Sequence, residues 1–71
     1  GVNPKTKNEI AKLLLNLKRK NETIFLIEHD MSFTIGIADC IIVVDAGRVI
    51  AQGSPSDIKN NKQVLEAYLG A

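Results

Sequence analysis

Thr23-Ile24-Phe25-Leu26-Ile27-Glu28-His29-Asp30-Met31 is the stretch on which the reading of this chain turns. Ile24 to Ile27 are bulky apolar residues with no polar residue between them, and Glu28, His29 and Asp30 follow directly. An apolar run without alternation, bounded by polar residues, is the pattern of a strand buried on both faces. In open α/β sheets, ligands bind beyond the carboxyl ends of the strands. The reading therefore puts the only histidine of the chain, His29, where such folds carry their chemistry.

A doubly buried strand needs neighbouring strands and a cover of helices on each side. A chain of 71 residues holds at most one small domain and buries a modest core. The expectation is that residues 1–71 are the carboxyl-terminal piece of a larger α/β domain, and the opening Gly1-Val2-Asn3-Pro4, without methionine or leader, is read the same way. A complete small α+β domain is the alternative.

Nine Lys+Arg against eight Asp+Glu give a net charge of +1, which argues against a nucleic-acid binder with its basic stripe. No apolar run is long enough to span a bilayer. A single cysteine, Cys40, leaves no intrachain disulfide and fits a reducing compartment. One His and one Cys exclude a His/Cys-rich zinc site within the chain. A Cys40–His29 nucleophilic pair is formally available, but Cys40 opens an apolar strand and reads as a buried, inert thiol. No Gly-rich phosphate loop is present.

Outward from the central stretch, the local signals are clear. Asn3-Pro4 starts a helix, with Asn as cap and Pro at the first position. Ile10, Leu13, Leu14 and Leu17 form one apolar helix face. The lysines around that face read as mostly solvated, Lys18-Arg19-Lys20 complements the helix dipole, and Asn21 ends the helix. Asp30 caps a short helix over Met31 to Ile37. Ile41-Ile42-Val43-Val44 reads as a second buried strand, adjacent and parallel to Thr23–Glu28, and the turn Asp45-Ala46-Gly47-Arg48 returns it as a hairpin through Val49 to Gln52. Ser54-Pro55-Ser56-Asp57 is a capping-box helix start running to about Lys59. Asn60-Asn61 breaks that helix, and Val64, Leu65 and Tyr68 mark a last one closed by Gly70.

Taken alone, one histidine at a strand end is more often a hydrogen-bonded structural residue than a catalytic one. The surrounding residues alter that balance. Glu28-His29-Asp30-Met31, Ala38-Asp39, the strand Ile41 to Val44, Asp45-Ala46-Gly47-Arg48-Val49-Ile50, Gly53-Ser54-Pro55 and the closing Ala67-Tyr68-Leu69-Gly70, in this order, resemble the carboxyl-terminal part of an ABC transporter ATP-binding subunit. The Gly-Val-Asn-Pro opening and the Ala-Tyr-Leu-Gly ending look most like the subunits of branched-chain amino acid importers.

The resemblance implies a P-loop NTPase-type α/β domain that binds ATP and Mg²⁺, works as a dimer with a second ATP-binding subunit, and sits on transmembrane permease subunits at the cytoplasmic face of the membrane. It implies that His29 is the switch histidine contacting the γ-phosphate of ATP, both catalytic and ATP-binding. It matches Gly1, Val2 and Asn3 to the end of the D-loop at the dimer interface. Asn3 stands where many relatives carry Asp, so no acidic group is implied there, and Cys40 stands where relatives often carry Arg. The phosphate loop, the signature motif and the strand with the catalytic Glu would all precede Gly1. Glu28 matches none of these, and the chain alone is expected to bind no cofactor or metal and to be inactive. Two other readings stand beside this one: a non-catalytic α/β interaction module, and an ABC ATPase serving another cargo such as lipopolysaccharide or urea.

Overall fold

Asn3 turns its side chain back on the first helix, its Oδ1 accepting from Thr6 N–H at 2.9 Å. Pro4 takes the first helical position, and α1 runs over Pro4–Arg19. The computed structural model describes residues 3–68. At the far end of α1, Asn21 adopts φ 62°. Asn21 N–H reaches Lys18 O at 3.0 Å and Glu22 N–H reaches Leu17 O at 3.2 Å, which is a Schellman motif with Asn in the place that Gly usually fills. Asn tolerates the left-handed region because its short polar side chain bonds locally.

The expected strand Thr23–Glu28 is not a strand here, and it does not pair with Ile41–Val44. Residues 22–28 carry no regular structure, and Phe25 and Ile27 are 86% and 87% exposed. Ile24 and Leu26 are covered further, at 38% and 40%. The physical reason is that a strand takes its hydrogen bonds from a partner. The only sheet among the described residues joins Ile41–Asp45 to Arg48–Gly53, a pair of strands already satisfied by each other. The parallel, doubly buried arrangement is therefore absent among the described residues.

Asp30 ends the segment and caps α2, Met31–Ile37, with Oδ1 accepting from Phe33 N–H at 3.0 Å. The hairpin follows: β1, Ile41–Asp45, and β2, Arg48–Gly53, pair antiparallel. Ala46 and Gly47 both have positive φ, 51° and 75°, the requirement of a type I′ turn whose twist matches the strands. Val43 faces Ala51 while Val44 faces Val49, so Ile50 is the extra residue of a bulge. The bulge turns Ile50 inward beside Ala51, and both pack on the core.

β1 also departs from the expectation of burial on both faces. Ile41 and Val43 are buried, but Ile42 and Val44 are exposed on the other side. The helices that follow cover one face only. α3, Pro55–Lys59, carries the full capping box of Ser54 and Asp57, and α4, Lys62–Tyr68, starts from Asn61, whose Oδ1 accepts from Val64 N–H at 3.1 Å. Ile58 of α3 and Val64 of α4 join Ile41 and Val43 in the core, with Met31, Ile35 and Ala38 packed against them. Tyr68 OH donates to Val44 O, fastening the last helix to the hairpin.

Candidate functional site

α1 holds α2 at both ends. Lys18 Nζ donates to Ile37 O at 3.0 Å and to Asp39 Oδ1 at 3.1 Å, satisfying a carbonyl at the carboxyl end of α2. Lys7 Nζ lies 3.3 Å from Asp30 Oδ2 at the amino end. The two helices therefore run in the same direction, with the extended segment returning between them. Neither lysine is simply solvated. Their partners are distant in sequence, so no local pattern announced them.

The amino end of α2 is where His29 sits. Glu28 Oε1 accepts from His29 N–H at 2.9 Å and from Asp30 N–H at 3.2 Å, folding the carboxylate over its own following backbone. Glu28 Oε2 lies 3.4 Å from Lys7 Nζ. The same ammonium stands 4.9 Å from the centre of the Phe33 ring, a cation–π contact. Asp30 O accepts from both Thr34 N–H at 3.1 Å and Thr34 Oγ1 at 2.9 Å. The backbone on each side of His29 is thus fixed, while its ring is 96% exposed, with Nε2 only as near as 4.0 Å to Glu28 Oε1.

The electrostatics follow from these bonds. The N–H groups of Asp30 and His29, with Lys7 behind them, hold the Glu28 carboxyl below the usual carboxylate range. The Phe33 N–H, again with Lys7, does the same for Asp30. Desolvation pulls the Lys7 ammonium down, but its bonds and charges with Asp30 and Glu28 outweigh that and hold it above the ordinary lysine value.

Asn3 is exposed, with its side chain on the Thr6 amide, one turn before Lys7, whose N–H donates to Asn3 O at 3.0 Å. Gly1 and Val2 lie outside the described residues. Cys40 is an exposed free thiol, not the buried one expected, because it precedes β1 and the covered face starts at Ile41. Among the described residues, no three or more His, Cys, Asp or Glu side chains are grouped to hold a metal ion, and no helix is long and apolar enough to cross a membrane. What the arrangement offers chemically is one presented imidazole on an immobilised backbone.

The family described as "Branched-chain amino acid ATP-binding cassette transporter" matches residues 48–71. The high-affinity branched-chain amino acid transport ATP-binding protein LivG of Escherichia coli is 48% identical over 71 residues, 99% of this chain and 28% of the relative. BraF of Pseudomonas aeruginosa, with the same description, is 41% identical over the same shares. A probable LivG of Archaeoglobus fulgidus is 37% identical over 100% of the chain and 28% of its own length. No solved structure matches. The chain thus spans a little over a quarter of the relatives it matches, 28% of their length. By sequence, the chain is similar to part of the ATP-binding subunits of branched-chain amino acid transporters.

Proposed function

We propose that residues 1–71 form part of an ATP-hydrolysing subunit that drives uptake of branched-chain amino acids, and that His29 is its phosphate-facing switch. The observation that carries this reading is the state of His29: a ring 96% exposed on a backbone bonded on both sides. A histidine kept for packing would be buried and hydrogen-bonded through its ring nitrogens. The names of the relatives, branched-chain amino acid transport ATP-binding proteins, support the same reading and favour that cargo over lipopolysaccharide or urea.

ATP and Mg²⁺ supply the transferable phosphoryl group and its charge neutralisation when bound in the whole subunit. The fit to this chain is partial. His29 offers a hydrogen-bond donor for the γ-phosphate, and among the described residues no three or more His, Cys, Asp or Glu side chains are grouped to hold a metal ion. His29 would donate to the phosphoryl oxygens as charge develops, while Glu28 and Asp30 keep its backbone still. In the whole subunit, Thr23–Glu28 becomes a strand of a parallel sheet, covered also on the face that Phe25 and Ile27 expose. Gly1, Val2 and Asn3 end a D-loop facing a second ATP-binding subunit. The dimer rests on permease subunits at the cytoplasmic face of the membrane. A non-catalytic interaction module would present the same apolar segment but would not need a pinned, outward histidine.

The test is turnover at saturating ATP in the whole subunit carrying His29→Ala. Losing one contact made in the transition state lowers kcat by a factor of about 10²–10³. The KM for ATP should change much less, since the phosphate loop and Mg²⁺ carry most of the binding. The 71-residue chain is the control, expected to show no turnover. Normal turnover with a lowered Tm would make His29 a packing residue and overturn the proposal.

A further inference from the structure

We propose that Lys7 is a positioning residue for His29, acting through the two carboxylates that flank it. The inference rests on the reading of His29 as a phosphate-facing group. Among the described residues nothing comes nearer to a ring nitrogen than Glu28 Oε1 at 4.0 Å, so the placement of the ring depends on the backbone at residues 28–30. Each neighbouring carboxylate divides its two oxygens in the same way. Glu28 gives Oε1 to the N–H groups of His29 and Asp30, and Asp30 gives Oδ1 to the first turn of α2. The remaining oxygens, Glu28 Oε2 and Asp30 Oδ2, both face Lys7 Nζ, at 3.4 and 3.3 Å.

One ammonium on α1 therefore fastens both carboxylates that hold the histidine loop. The Lys7–Glu28 pair is the more sheltered, with side chains 23% and 19% exposed and the Phe33 ring beside the ammonium, while Asp30 is more open at 38%. Sheltered pairs are screened less by salt than surface ones. Without Lys7, two like charges face each other across the loop and repel. Glu28 is then free to swing outward and release the His29 and Asp30 amides. An ion pair kept only for stability would do little beyond a small shift in Tm, whereas loss of positioning acts on the chemical step.

The whole subunit carrying Lys7→Met, Lys7→Arg, Glu28→Gln, His29→Ala and the Lys7→Met/His29→Ala pair tests this. Lys7→Met should lower kcat about 10–100-fold, the scale of a misplaced group, with the KM for ATP and Tm little changed. Lys7→Arg, which can still bridge both carboxylates, should recover most of the loss. In the His29→Ala background, Lys7→Met should cost nothing more, because the residue it positions is gone. If Lys7→Met does not accumulate as folded protein, the nearly isosteric Glu28→Gln carries the same expectation. Normal turnover of Lys7→Met alongside an impaired His29→Ala overturns this inference and leaves the switch reading standing, as do losses that multiply in the pair. Normal turnover of His29→Ala overturns both.

Discussion

Glu28 and Asp30 each commit one oxygen to backbone amides and the other to Lys7, so the loop depends on both carboxylates being ionised. Both are held below the ordinary carboxylate range. A group whose acidity is raised by folding adds stability that is present above its unfolded pKa and is lost as pH falls through its folded one. The amides of Asp30 and Phe33 should therefore be protected from exchange at neutral pH and lose protection only on acidification below that range. For Lys7, held above its ordinary value, the sign is opposite: its contribution persists through neutrality and is lost in strong alkali. Amide exchange followed by NMR against pH checks this, and protection lost near neutrality would contradict it. At this scale, the Asp30 cap was legible because it lies three residues from the amide it serves, Phe33. Lys7 was not, since only the fold brings α1 against residues 28–30.

The helix starts were legible for the same reason. Asn3, Asp30 and Ser54 each cap the helix the local pattern assigned to them, and Asn61, read only as a breaker, caps α4. Capping chemistry is local, worth about 0.5–2 kcal/mol per cap, and independent of distant neighbours. The segment 23–28 is the counterexample. Its apolar run records that both faces are meant for burial, but says nothing about which residues provide the hydrogen bonds. β1 shows the same limit in milder form, with Ile42 and Val44 left open opposite the buried Ile41 and Val43. The hairpin turn yields a prediction. Ala46 adopts φ 51°, a left-handed conformation costing an L-residue with a Cβ roughly 1–2 kcal/mol. Ala46→Asn should relieve part of that, because Asn-Gly suits a type I′ turn. A thermal melt followed by circular dichroism should show Tm rising by several degrees, about 4–8 °C per kcal/mol for a domain of this size. An unchanged or lowered Tm would contradict this account of the turn.

Among the described residues, the buried core is confined to the hairpin and the two helices after it. Ile41, Val43, Ile58 and Val64 form it, while α1 buries no residue. A core this small supports at most about 3–5 kcal/mol of net stability. Apolar residues are left exposed in the extended segment, at Phe25 and Ile27, and in the hairpin, at Ile42, Val44 and Val49. Soluble chains seldom leave such surface open without a partner for it. The chain's 28% share of its relatives' length fits a partner within the same polypeptide. Amide hydrogen exchange at residues 24–27, compared between the 71-residue chain and the whole subunit, tests this most directly. Exchange should be fast in the chain alone and strongly slowed in the whole subunit, where the segment joins a sheet. Equal exchange in the two would contradict it.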